Sequence, residues 1–381
     1  MRRPAALLAA LIAAVLVLPW LPPVRTAVLT VALVPELLGT PLRPLSVLPE
    51  PRLITTTYGT PADRLDVYLP AGAAPGSRLP AVVLELGVHP EPIDHPDIVG
   101  VATAIGRLGV VVGVPDSNAL RNLQITPAEP AHLVDALLTI ATRPEVDPAR
   151  VGLAGFSAGA SIALVAAADP RIADSLPWIS AFGGYAAAEL LLVDVASRTT
   201  LSDGQAVAWR PDPGIRRDVL ELSLATLGTA AERDRLRQLL SPIVAADDPP
   251  HGPSDDALVQ LSGDARAMYL LFTAADRASA EQAIATLSRL LRQQLAGISP
   301  LTVADGIRAP VFLLHGQPDT AIPVAHAGLL ARAIGPEVAR LTVFGQFGHA
   351  QPGQGGLDID DAGDVWELSL YLRDIVAAAL E

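Results

Sequence analysis

From Leu65 onward, short apolar runs alternate with longer stretches in which apolar residues recur at helical spacing. The runs Leu65–Leu69, Pro80–Leu86, Val110–Val114, Val151–Phe156, Pro310–Leu314 and Leu341–Phe344 read as strands. Ile98–Leu108, Pro130–Ala141, Ser161–Ala168 and a final stretch, Ala362–Ala379, read as helices. Strands that are apolar throughout belong in a sheet buried on both faces, and their alternation with helices predicts parallel βαβ units. The expected fold class is therefore α/β, a mostly parallel sheet covered by helices, with reactive groups in the loops beyond the strand ends.

Two stretches break the rhythm. Between Gly184 and Asp305 strand-like runs give way to amphipathic patterns, Glu232–Leu240 and Glu281–Leu295, on either side of the loop Ala245–Asp256. This predicts a helical cap inserted into the sheet-forming chain. At the other end, Pro4–Val24 carries no charge and follows Arg2 and Arg3. That is the pattern of a membrane-targeting segment whose N-terminus stays on the cytoplasmic side. An uncleaved anchor is the expected form, because no small-x-small site precedes Arg25; the alternatives are a cleaved signal peptide and a helix packed on the soluble domain. Thr26–Pro35 reads as a second or re-entrant apolar segment, too short for a full span. The expected organisation is an N-terminal membrane segment (1–40), a proline-rich connector (41–56), the first part of the core (57–183), the cap (184–305) and the second part of the core (306–381). Export or anchoring would place the main domain outside the cytoplasm.

Composition narrows the chemistry. The chain has no cysteine, and all 27 basic residues are arginine. Thiolate nucleophiles, cysteine metal sites, lysine Schiff bases and Walker-type phosphate loops are excluded. A net charge of −13 argues against nucleic acid as a partner. His89 and His95, with Glu85, Glu91, Asp94 and Asp97, lack any fixed ligand spacing and are interrupted by prolines, so no metal site is expected. His315 and His326 read as a strand-end and a surface residue, while Trp178 and Tyr185 fit either a pocket wall or the core.

The sharpest motif is Gly155-Phe156-Ser157-Ala158-Gly159, a G-x-S-x-G preceded by a strand and followed by a helix. On so tight a turn the serine hydroxyl is presented at the end of the strand. The helix N-terminus and the Ala158 N–H then face a developing oxyanion.

Asp147 to Gly159 resembles the elbow region of the α/β-hydrolase superfamily, nearest its serine esterase and dienelactone-hydrolase-like branch. The likeness covers about 57–183 and 307–381; the cap resembles no family. It implies a triad in the order Ser, Asp, His: Ser157 as nucleophile, Asp319 in the loop after Leu313-Leu314-His315-Gly316, and His349 after the last strand. It further implies a second oxyanion donor in the loop Leu86-Gly87-Val88-His89-Pro90, which places Val88 N–H beside Ala158 N–H. Dienelactone hydrolases use a cysteine at the elbow, for which this chain offers only Ser157. Asp276, and Asp358, Asp360 and Asp361, are weaker candidates for the acid. The implied activity is hydrolysis of a small-molecule carboxylic ester, with no cofactor and no metal. A peptidase or amidase, an acyltransferase, and a non-catalytic binding protein on the same fold are the alternatives.

Overall fold

The computed structural model describes residues 22–40, 42–88, 92–246, 252–259, 261, 263–345, 348–349 and 362–380. Six strands precede the insertion: β1 (Arg52–Tyr58), β2 (Asp63–Leu69), β3 (Leu79–Glu85), β4 (Val111–Asp116), β5 (Val146–Phe156) and β6 (Ile179–Phe182). A hairpin of β7 (Thr199–Ser202) and β8 (Gln205–Ala208) lies within it, and β9 (Val311–Gly316) and β10 (Ala339–Phe344) follow. The main sheet has eight strands in the order β1-β2-β4-β3-β5-β6-β9-β10, with β2 antiparallel to both neighbours and the rest parallel.

Helices before the insertion are α1 (Pro22–Leu37), α2 (Pro96–Arg107), α3 (Asn118–Arg121), α4 (Glu129–Ala141) and α5 (Ala158–Ala166). Side chains alternate across the strands, so each strand supplies two cores. Ala81, Val83, Val151 and Leu153 pack with α4 and α5 on one face. Val82, Leu84, Val112 and Ala154 face the other way, onto α1, α2 and the last helix, numbered α14 (Ala362–Leu380). On this second face the packing is incomplete: a cavity of about 230 Å³ lies between the sheet and the three helices.

The insertion between β6 and β9 is mostly helical: α6 (Ala188–Ser197), α7 (Pro213–Ala225), α8 (Ala230–Ala245), α9 (Asp255–Val259), α10 (Gly263–Phe272), α11 (Arg277–Ala285) and α12 (Arg289–Gly297). The single amphipathic stretch expected over Glu281–Leu295 is split into α11 and α12, because Ser288 accepts from Leu291 N–H and caps a new helix. Leu236, Leu240, Met268 and Leu291 give the cap its own core, which reaches down to Ala158 and Ile322 of the sheet domain. Within the cap, Arg277 pairs with the buried Asp194 at 2.7 Å, and His326 Nε2 pairs with the same carboxylate at 3.3 Å. His326 belongs to α13 (Ala325–Ile334), so this pair ties cap to core. The surface placement expected for His326 is therefore wrong: it is completely buried, and accepts Ala186 N–H at its Nδ1.

Two N-terminal expectations, the second apolar segment and the length of the connector, need correction. Pro4–Leu21 lie outside the described residues, and among the described residues no helix is long and apolar enough to cross a membrane. Thr26–Pro35 is no second span: it is part of α1, whose Leu33 and Val34 are buried among the residues shared with α2 and α14. The connector is also shorter than expected, since β1 pairs along its length with β2. Its arginine and three threonines half-expose an edge strand, so the apolar signature of a central strand is missing.

Candidate active site

β5 runs straight into the turn that carries Ser157, and α5 begins at the next residue. Ser157 sits at φ 53°, ψ −129°, a conformation that costs a side-chain-bearing residue about 1–3 kcal/mol. It is held there by Ser157 N–H donating to Phe182 O at 2.8 Å. Gly159 is required by close approach: a Cβ there would lie 2.5 Å from Gly87 N. The loop after β3 is thus pressed backbone-to-backbone onto the elbow.

Asp319 follows β9 and is 3% exposed. Its Oδ1 accepts N–H groups from Ala321 (2.7 Å) and Ile322 (2.9 Å), which fixes the carboxylate plane. Oδ2 is 2.7 Å from His349 Nδ1, and His349 Nε2 is 2.8 Å from Ser157 Oγ. With Nδ1–H donating to the carboxylate, Nε2 keeps its lone pair and accepts the serine proton. Gly183, at φ +65°, lies against this relay; a Cβ there would come within 3.2 Å of His349 Cε1.

Burial alone would raise the Asp319 pKa, but the positive charge available on His349 and hydrogen bonds from His315 and His349 outweigh it. The carboxyl is held well below the usual range and is ionised at neutral pH. His315, completely buried, contributes through Nε2, 3.3 Å from Asp319 Oδ2 and 2.8 Å from Ile322 O. It therefore braces the acid loop, a structural role in keeping with its place at the strand end. Trp209, from the cap, donates its Nε1–H to Asp319 O at 2.9 Å, tying the insertion to the same loop.

The two expected oxyanion donors flank the elbow. Ala158 is the first residue of α5, and Val88 directly follows Gly87, the residue packed on Gly159. Gly87 N–H is taken by Glu85 Oε1 at 3.1 Å, which leaves Val88 as the next donor of the turn. Glu85 is itself buried; desolvation, opposed by the Gly87 hydrogen bond and reinforced by the charge of Glu129, pushes its pKa from 4.5 to about 8. The folded state then holds a proton that the unfolded state gives up above about pH 4.5, so stability falls as pH rises from there to about 8. Glu85→Gln keeps an acceptor for Gly87 and removes the titration. It is expected to equal wild type in urea denaturation at pH 5 and to exceed it at pH 9, by up to about 4 kcal/mol.

No protein-family model and no curated protein sequence matches the chain. Among solved structures, that of 2,6-dihydroxy-pseudo-oxynicotine hydrolase aligns with a TM-score of 0.50 at 14% identity, over 87% of this chain and 69% of that one. The chain has the α/β-hydrolase fold. A dienelactone hydrolase structure from Klebsiella pneumoniae, described as putative in its own right, aligns at 0.44 and 14% identity, over 85% and 99% of the two chains. Dipeptidyl peptidase 4 of Porphyromonas gingivalis aligns at 0.49 and 11% identity, covering 86% of this chain. This chain spans 35% of that peptidase and 38% of an acylaminoacyl peptidase.

Within the hydrolase fold, the other candidates take structural places. Asp276 caps α11 by accepting Ser279 N–H, far in role from a triad acid. Tyr185 and Trp178 are both 2% exposed; Tyr185 belongs to the cap core, and Trp178 lines the cavity on the second face of the sheet. His95 caps α2, its Nδ1 accepting Asp97 N–H. Among the described residues no group of three His, Asp or Glu side chains converges on a metal-sized space. His89, Glu91, Asp358, Asp360 and Asp361 lie outside the described residues.

Proposed function

We propose that the chain is a serine hydrolase acting on carboxylic esters through an acyl-enzyme. The observation that carries this reading is the unbroken relay from Asp319 through His349 to the strained Ser157. Ser157 Oγ attacks the acyl carbon as His349 Nε2 takes its proton. Asp319 stabilises the imidazolium, and the N–H groups of Ala158 and Val88 hold the oxyanion. His349 then protonates the departing alkoxide. Water, activated by the same imidazole, releases the acid and restores the serine. An alkoxide needs less help in leaving than an amine does, so ester cleavage asks least of this site. The apolar cap core that descends to Ala158 and Ile322 supports an apolar acyl group and a water-poor reaction.

Turnover of p-nitrophenyl esters of increasing acyl length, compared with the matching p-nitroanilides, tests the substrate class. Esters are expected to lead in kcat/KM by roughly 10²-fold or more, the size of one general-acid contribution. Equal rates would favour an amidase or peptidase instead.

For location, the proposal is an anchor over Pro4–Val24 with the catalytic domain on the extracytoplasmic side. Arg2, Arg3 and the uncharged stretch support it. Because α1 is packed on α14 from soon after the stretch ends, the domain would sit close against the bilayer. Carbonate extraction followed by N-terminal sequencing is expected to give a membrane-retained, unprocessed chain. A soluble product starting between residues 25 and 45 would show a cleaved signal peptide.

A further inference from the structure

The cavity on the second face of the sheet does not include Ser157, Asp319 or His349 among its lining residues. It is nonetheless continuous with the floor of the catalytic turn, because Phe156 and Phe182 line it and directly precede Ser157 and Gly183. Their rings lie 6.1 Å apart. We infer that this cavity is a binding site for a single aliphatic chain with an uncharged head, separate from the site of ester cleavage and independent of the reading of the triad.

Shape and lining both favour such an occupant. Val82, Leu84 and Leu86 follow one another along the wall, so the space extends about 13 Å along β3 at about 3.3 Å per residue. A zigzag chain of ~1.5 Å bonds fits about ten carbons into that length. The walls are aliphatic or aromatic, from Leu33 of α1 to Ile375 and Ala379 of α14. The polar atoms of Ser180 and Tyr371, also on the wall, bond to each other at 2.7 Å, and Tyr371 Oη–H reaches Phe312 O. These two therefore ask nothing of a ligand, while Trp178 Nε1–H, buried on the same wall without a hydrogen-bond partner among the described residues, can donate to an uncharged hydroxyl head. An apolar lining of this kind favours an apolar occupant over water. Asp97 is the one charged side chain among the described lining residues, and it disfavours a carboxylate head.

The test uses the full chain in equilibrium dialysis with 1-decanol and with decanoate. Decanol is expected to bind saturably at one molecule per chain, and decanoate at least tenfold more weakly. Ala154→Phe and Ala379→Phe, which fill the cavity from the sheet and from α14, are each expected to weaken decanol binding at least tenfold. Hydrogen exchange on the wild-type chain supplies a readout that does not depend on the variants folding: decanol should protect β3, α2 and α14 and leave α7 to α12 unchanged. Absence of saturable decanol binding, equal binding of decanoate, wild-type affinity in a folded filled variant, or protection confined to the cap would each overturn the assignment.

Discussion

Ser157→Ala is expected to lower ester kcat by about 10⁴- to 10⁶-fold while leaving the fold intact, the range seen when a triad nucleophile is removed. The residue that replaces it is smaller, and the turn keeps its Ser157-position N–H bond to Phe182 O, so the lost rate reports chemistry rather than collapse. Relief of a positive φ is not on offer, because alanine suffers the same strain as serine at φ 53°. Thermal melting within a few degrees of wild type, together with the lost turnover, is the expected pair of results. A variant that retained a tenth of the activity would mean that Ser157 is not the attacking group.

The second large effect is expected at Asp319. Replacing it with asparagine keeps the size of the side chain but offers an N–H₂ group to one of its partners. Since Oδ1 accepts Ala321 and Ile322 N–H, the amide oxygen belongs there, and the NH₂ then faces His349 Nδ1. Nδ1 must accept, the proton moves to Nε2, and the imidazole can no longer take the serine proton. The expected loss is about 10⁴-fold in kcat with little change in KM. In the wild type the low pKa of Asp319 keeps it ionised across the working range. In Asp319→Asn, His315 loses its carboxylate partner as well. Turnover within tenfold of wild type would place the orienting acid elsewhere.

The candidate constellation, which the structure brings into hydrogen-bond contact, was legible in the sequence because each part rests on local chain chemistry. A strand, a glycine-flanked serine and a helix make the elbow whatever surrounds them; the Leu-Leu-His-Gly segment ends β9, and Gly348-His349 follows β10. What escaped is settled by packing between distant segments. β1 reads as connector since an edge strand with one exposed face has no continuous apolar run. His326 reads as a surface residue because its partners, Asp194 and Ala186, come from elsewhere in the chain. Glu85 did leave a signal, a lone carboxylate inside the apolar run Pro80–Leu86, but only the loop folded onto Gly159 explains its place. The cavity behind the elbow left none, since hydropathy says which residues face inward and nothing of how tightly they meet.

The central claim is that the Asp319–His349–Ser157 relay activates one serine for covalent attack. A fluorophosphonate probe tests it most directly, followed by peptide mass spectrometry to locate the adduct. Stoichiometric labelling of the wild-type chain on the peptide containing Ser157 is expected, with none in Ser157→Ala and strongly slowed labelling in His349→Ala. An unlabelled wild-type chain, or equal labelling of Ser157→Ala, would contradict it.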